Sequence, residues 1–193
     1  MTYVPEALFV TDFADQAVMV PMVLVTAAVL WLSGWRRGAV AWCSVVPLTL
    51  LTVGLAKLMV FRFGAPVWLP DLLSPSGHTA SAALVYGGLM AILVPYMGPW
   101  RRVLLVAVPM AAIIGVTRLF LRVHTLDDVI VGAIIGLVGA ISLARLAGHR
   151  PVHISLWPAA GTVVMVVILF HGIRLPAEVW LQAAARDWPG WWL

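Results

Sequence analysis

The residues able to do chemistry are few and close together in the chain. Lys57, the only lysine, is followed by Arg62. Then come Ser74-Pro75-Ser76-Gly77-His78, Arg118, and finally His124 with Asp128. Pro75 breaks regular structure, Ser76 can cap a helix, and Gly77 lets backbone approach a ligand, so 74–78 reads as a helix start. Free N–H groups and the positive dipole end of such a start form an anion site. Lys57 and Arg118 add fixed positive charge, and a guanidinium can hold phosphate oxygens in a bidentate fork. His124 precedes Asp128 by four residues, so both can meet on one helical turn if the span that follows begins near His124. A carboxylate accepting from one ring nitrogen fixes the tautomer and leaves the other free to attack phosphorus. His78 can then act as general acid for the leaving oxygen. Phosphoryl transfer is the chemistry these residue types suit.

The elements that must position them are membrane helices. Of 193 residues, 63% are hydrophobic and only 10% charged, with a mean hydropathy of +1.03. A soluble domain of this size needs more polar surface. Six apolar segments separate, at about 17–35, 38–61, 79–98, 103–121, 127–147 and 153–173, each near the ~20 residues that cross a bilayer. A short, partly inserted helix is expected at 5–15. The expected fold is an all-α polytopic bundle of about six transmembrane helices, a single domain over 1–193. Arg36–Arg37, Arg101–Arg102 and Arg145 with Arg150 mark the cytoplasmic connections. The alternate connections and both termini then face outward, with all eight acids: Glu6, Asp12, Asp15, Asp71, Asp127, Asp128, Glu178 and Asp187. Lys57, His78, Arg118, His124 and Asp128 fall at that outer end. Ionisable groups at membrane depth mark sites.

Other classes find less support. The net charge of +4 does not concentrate into a stripe, so no nucleic-acid partner is expected. The lone Cys43 can form no intramolecular disulfide, and no cysteine-rich metal site exists. Glu6, Asp12 and Asp15 stand where a secretory signal would carry positive charge, so the first span is read as retained. Trp180, Trp188, Trp191 and Trp192 read as an interfacial belt. His149, His153 and His171 read as interfacial residues, and Asp127 as a helix-start charge.

Pro75-Ser76-Gly77-His78 followed by Thr117-Arg118-x5-His124-x3-Asp128 resembles the type-2 phosphatidic acid phosphatase family, relatives of the vanadium haloperoxidases. That family's pattern is Lys-x6-Arg-Pro, Pro-Ser-Gly-His and Ser-Arg-x5-His-x3-Asp. The second part is intact, and the third has Thr117 for Ser. The resemblance implies a nucleophile at His124 oriented by Asp128, a general acid/base at His78, and phosphate ligands at Lys57, Ser76, Gly77 and Arg118. It implies no metal and no cofactor. In the first part the expected Arg falls on Gly64 and the expected Pro on Ala65, with Pro66 one later. Arg62 and Arg122 are the candidates to replace the missing guanidinium, with Arg62 favoured. Family members often have three spans before the first part; here there are two, and the 5–15 helix is a candidate remnant of the third.

The resemblance further implies an integral membrane lipid phosphatase in a bacterial inner membrane, facing outward, with a lipid phosphate or diphosphate as substrate. Its rivals are a lipid-to-lipid phosphotransferase, a non-catalytic lipid-phosphate-binding scaffold and a transporter. No obligate protein partner is evident.

Overall fold

The computed structural model describes residues 4–94, 99–151, 154–155 and 157–186. Among these every regular element is helical. They are α1 (Val4–Asp12), α2 (Gln16–Leu32), α3 (Arg36–Phe63), α4 (Gly77–Leu93), α5 (Pro99–Phe120), α6 (Leu126–Ala147), α7 (Trp157–Phe170) and α8 (Ala177–Arg186). The six apolar segments all appear as helices, and the short helix expected at 5–15 is α1. Among the described residues, four helical stretches are long and apolar enough to cross a membrane: Val4–Leu32 taken as α1 with α2, Arg36–Phe63, Val103–Phe120 and Leu126–Ala147. α4 and α7 are apolar but shorter, at 17 and 14 residues. Long apolar surfaces such as Leu24, Leu32, Leu48 and Ile134 stay exposed, as a lipid-facing wall requires. The chain is thus built as a membrane protein.

α4 is the central post. It packs on α3, α5 and α6, while α2 pairs with α7, α1 lies on α5, and α8 lies on α3. Its sequence explains the position: Ala80, Ala82, Ala83, Gly87, Gly88 and Ala91 make it slim on every side, and most of it is buried. Small residues allow close backbone approach where lipid offers no hydrophobic drive for helices to associate. α6 answers with Gly132 and Gly136. A Cβ at Gly132 would collide with the Ser76 carbonyl oxygen, and one at Gly136 with that of Ala80. α6 therefore presses directly on the first turn of α4. Elsewhere, Trp42 Nε1 donates to the Val23 carbonyl at 3.0 Å, locking α3 to α2.

Candidate active site

At one end of the bundle, the end of α3, the start of α4, the end of α5 and the start of α6 converge. α6 begins with a capping box: Asp128 N–H donates to Thr125 Oγ1 at 3.2 Å, and Thr125 N–H donates to Asp128 Oδ2 at 3.0 Å. The same Oδ2 lies 3.1 Å from His124 Nδ1. Oδ1 accepts from the N–H groups of Leu73 at 2.9 Å and Ser74 at 2.7 Å, and the Asp128 carbonyl accepts from Ser76 N–H at 2.8 Å. This one fully buried aspartate fixes both the His124 tautomer and the loop that enters α4. His124 Nε2 is left as the free ring nitrogen among the described residues. Burial holds the His124 imidazole below the ordinary histidine range, the nearby Lys57 ammonium adds to this, and the Asp128 contact opposes it.

Ser76 is the N-cap of α4, its Oγ accepting from Thr79 N–H at 3.4 Å and lying 2.9 Å from Thr79 Oγ1. Its hydroxyl is therefore engaged in capping and fully buried, whereas the next residues, Gly77 and His78, line a pocket of about 650 Å³. That pocket also takes in Asp15, Lys57, Arg118 and Glu178 at its polar end, and Leu8, Leu50 and Leu51 along an apolar wall. Arg118 Nε is buried and has no hydrogen-bond partner among the described residues. A buried unsatisfied guanidinium donor calls for an acceptor. His124 is not among the lining residues, and its side chain is only 5% exposed.

Two further candidates stand elsewhere. Arg62 lies over the Phe63 ring and lines a separate depression with Gln182 and Arg186. Arg122 is exposed, with a left-handed backbone at φ 55°. The structure gathers Lys57, Gly77, His78 and Arg118 around one pocket, and His124 onto Asp128; it does not gather Arg62 or Arg122 there. Gly64, at the expected Arg position, ends α3 with φ 83° and open space around it.

Two side chains at the site were not singled out from sequence. Glu178 of α8 pairs with Lys57 at 2.5 Å and accepts from Ser74 Oγ at 2.8 Å, and Lys57 also donates to Ser74 at 2.6 Å. A carboxylate thus occupies the cation cradle. Burial pushes the Glu178 carboxyl up, but Lys57 and the Ser74 hydroxyl outweigh it and hold the carboxyl below its usual range. Asp15, the second, lies 3.5 Å from His78 Nε2. Glu178 and Asp15 lie 121 and 63 residues from their partners, too far for any spacing rule. Asp15 did carry one local sign, an acid immediately before an apolar helix. His171, read as interfacial, packs its ring between Phe9 and Phe13 and contacts the Phe9 carbonyl at 2.9 Å. Trp180 borders the pocket from α8. Trp188, Trp191, Trp192, His153 and Asp187 lie outside the described residues.

The comparisons with known proteins agree with the motifs. The model of the PAP2 superfamily matches residues 63–151, the segment from the end of α3 to just past α6. This is the family that the motifs resemble, and it supports phosphatase chemistry on lipid phosphates. The chain is also similar to an uncharacterized 22.5 kDa protein in the cps region of Klebsiella pneumoniae, 26% identical over 178 residues. That alignment covers 88% of this chain and 85% of the relative. No solved structure matches the chain.

Proposed function

We propose that this protein hydrolyses a lipid phosphate or diphosphate through a phosphohistidine on His124, without a metal, at an outward-facing membrane boundary. The observation that carries it is the His124–Asp128 pair, one ring nitrogen held and the other free, beside a pocket lined by Lys57, the α4 N-terminus and a partnerless Arg118 Nε. His124 Nε2 attacks phosphorus, the P–O bond to the lipid breaks, and His78 gives its proton to the departing oxygen. His78 then takes a proton from water, whose oxygen attacks the phosphohistidine and releases phosphate and free His124. Lys57, Arg118 and the Gly77 backbone stabilise charge on the equatorial oxygens, the work a metal does elsewhere. The apolar wall formed by Leu8, Leu50 and Leu51 suits a lipid chain. Undecaprenyl diphosphate, phosphatidylglycerol phosphate and phosphatidic acid are the substrates in view, undecaprenyl diphosphate first because its recycling uses an outward site.

The test is a lipid-phosphate panel on purified protein, with radiolabelled phosphate followed to water or to a second lipid. Turnover should survive EDTA, be inhibited by vanadate and vanish in His124→Ala. Loss with chelator that magnesium restores, or activity persisting in His124→Ala, sinks the mechanism; label appearing in lipid assigns a phosphotransferase instead.

A further inference from the structure

His78 sits in the first turn of α4, where nothing on α4 itself fixes its ring. What faces it comes from the other end of the chain's helical order. The corner between α1 and α2 is clamped onto α4, since Tyr86 Oη donates to the Phe13 carbonyl at 2.7 Å and Ser81 Oγ to the Ala14 carbonyl at 3.3 Å. It is clamped onto the α7–α8 connection as well, where Asp12 and Arg174 form a two-point pair at 2.6 and 2.9 Å. Asp15 stands at this corner, 4% exposed. Its Oδ1 accepts from Ala17 N–H at 2.9 Å, capping α2, and from Leu175 N–H at 3.1 Å. With Oδ1 held by two donors, Oδ2 has one orientation left, and it points at His78 Nε2 from 3.5 Å.

We propose that Asp15 is the positioning residue of the general acid: it holds His78 with Nδ1 towards the leaving oxygen and stabilises the imidazolium that donates the proton. The inference rests on the phosphohistidine reading above and extends it to a residue outside the matched segment 63–151. An imidazolium beside a carboxylate forms a shorter, charge-assisted contact than a neutral ring does, so the pair tightens in the protonation state the acid needs. The site would then hold two carboxylate–imidazole pairs with opposite duties. Asp128 secures a neutral His124 for attack, and Asp15 secures a charged His78 for protonation.

The experiment uses the full chain and two esters. One is phosphatidic acid, whose alkoxide leaving group needs a proton. The other is 4-nitrophenyl phosphate, whose phenolate scarcely does. Values of kcat/KM report steps through phosphohistidine formation, where the acid acts. Asp15→Asn keeps an oxygen for the Ala17 and Leu175 N–H groups, so the α2 cap survives. Its kcat/KM on phosphatidic acid should fall at least about tenfold further than on the aryl ester, a modest share of general-acid catalysis. His78→Ala should show the same bias, and Asp15→Asn on top of it should add nothing. Equal loss on both esters assigns Asp15 a merely structural role and overturns the proposal, as does a wild-type ratio. His124→Ala is the separate control. Activity there overturns the phosphohistidine reading itself, whereas a dead His124→Ala beside an unbiased Asp15→Asn overturns only the role of Asp15.

Discussion

At the scale of single residues, His124 sits in an enclosed position beside a cation, and both conditions favour its uncharged ring. In the proposed mechanism the neutral ring is the attacking form. As pH falls, attack should therefore persist through the ordinary histidine range and fail only below about 6.5. On an aryl ester, which relieves His78 of its duty, the acid limb of kcat/KM should lie under that value; a limb above it would contradict the assignment. The arginines divide in the same manner. Arg118 reaches the pocket with an unsatisfied donor, so Arg118→Ala should cost on the order of 3 kcal/mol, about a hundredfold in kcat/KM. Arg62 lines a different depression, so Arg62→Ala should stay within about threefold. A loss with Arg62→Ala matching that of Arg118→Ala would restore Arg62 as the replacement for the guanidinium missing at Gly64. His124 and Asp128 were legible because residues four apart at a helix start stay close, although His124 stands just before the N-cap Thr125 rather than on the helix itself. Asp15 and Glu178 were not, because their partners come from distant helices.

At the scale of elements, two contacts decide whether the site is assembled and open. The first is the α4–α6 seam. Gly132 lets α6 press on the Ser76 carbonyl, and so sets where the α4 N-terminus stands relative to His124. Gly132→Ala should cost roughly 1–3 kcal/mol in overpacking. It should lower the melting temperature in detergent and cut turnover by about tenfold or more, since small misplacements are costly in catalysis. Gly161→Ala, with open space around it and away from the pocket, is the paired control. Equal behaviour of the two variants would dismiss the seam. The second contact is α8, whose Glu178 already holds Lys57 and Ser74. A substrate phosphate bound by Lys57 must displace that carboxylate, which is ionised at neutral pH. Glu178→Gln should therefore lower KM severalfold with kcat little changed. A raised KM would mean instead that Glu178 organises Lys57 for the substrate.

At the scale of the whole molecule, the acids among the described residues are sorted to one end. Arg36, Arg37, Arg101, Arg145 and Arg150 lie at one end of the helices, whereas the acids lie at or beyond the other, Asp187 excepted as outside the described residues. In a Cys43→Ala background, a cysteine at Asp71 should react with an impermeant reagent from outside, and one at Arg101 only after permeabilisation. The reverse pattern would turn the site towards the cytoplasm and remove the reason for preferring undecaprenyl diphosphate. The six apolar runs, the α4 start at Ser76 and the His124–Asp128 pair were set by the sequence alone. Hydropathy, capping and short spacing at a helix start are local rules, and each needs only a few neighbouring residues. The tertiary structure alone decided that α8 lays a carboxylate in the cation cradle, that the α1–α2 corner faces His78, and that Arg62 stands apart. Those outcomes depend on which helix packs beside which, and in a chain apolar almost throughout, that choice is made by small-residue seams and buried polar contacts rather than by any pattern along the sequence.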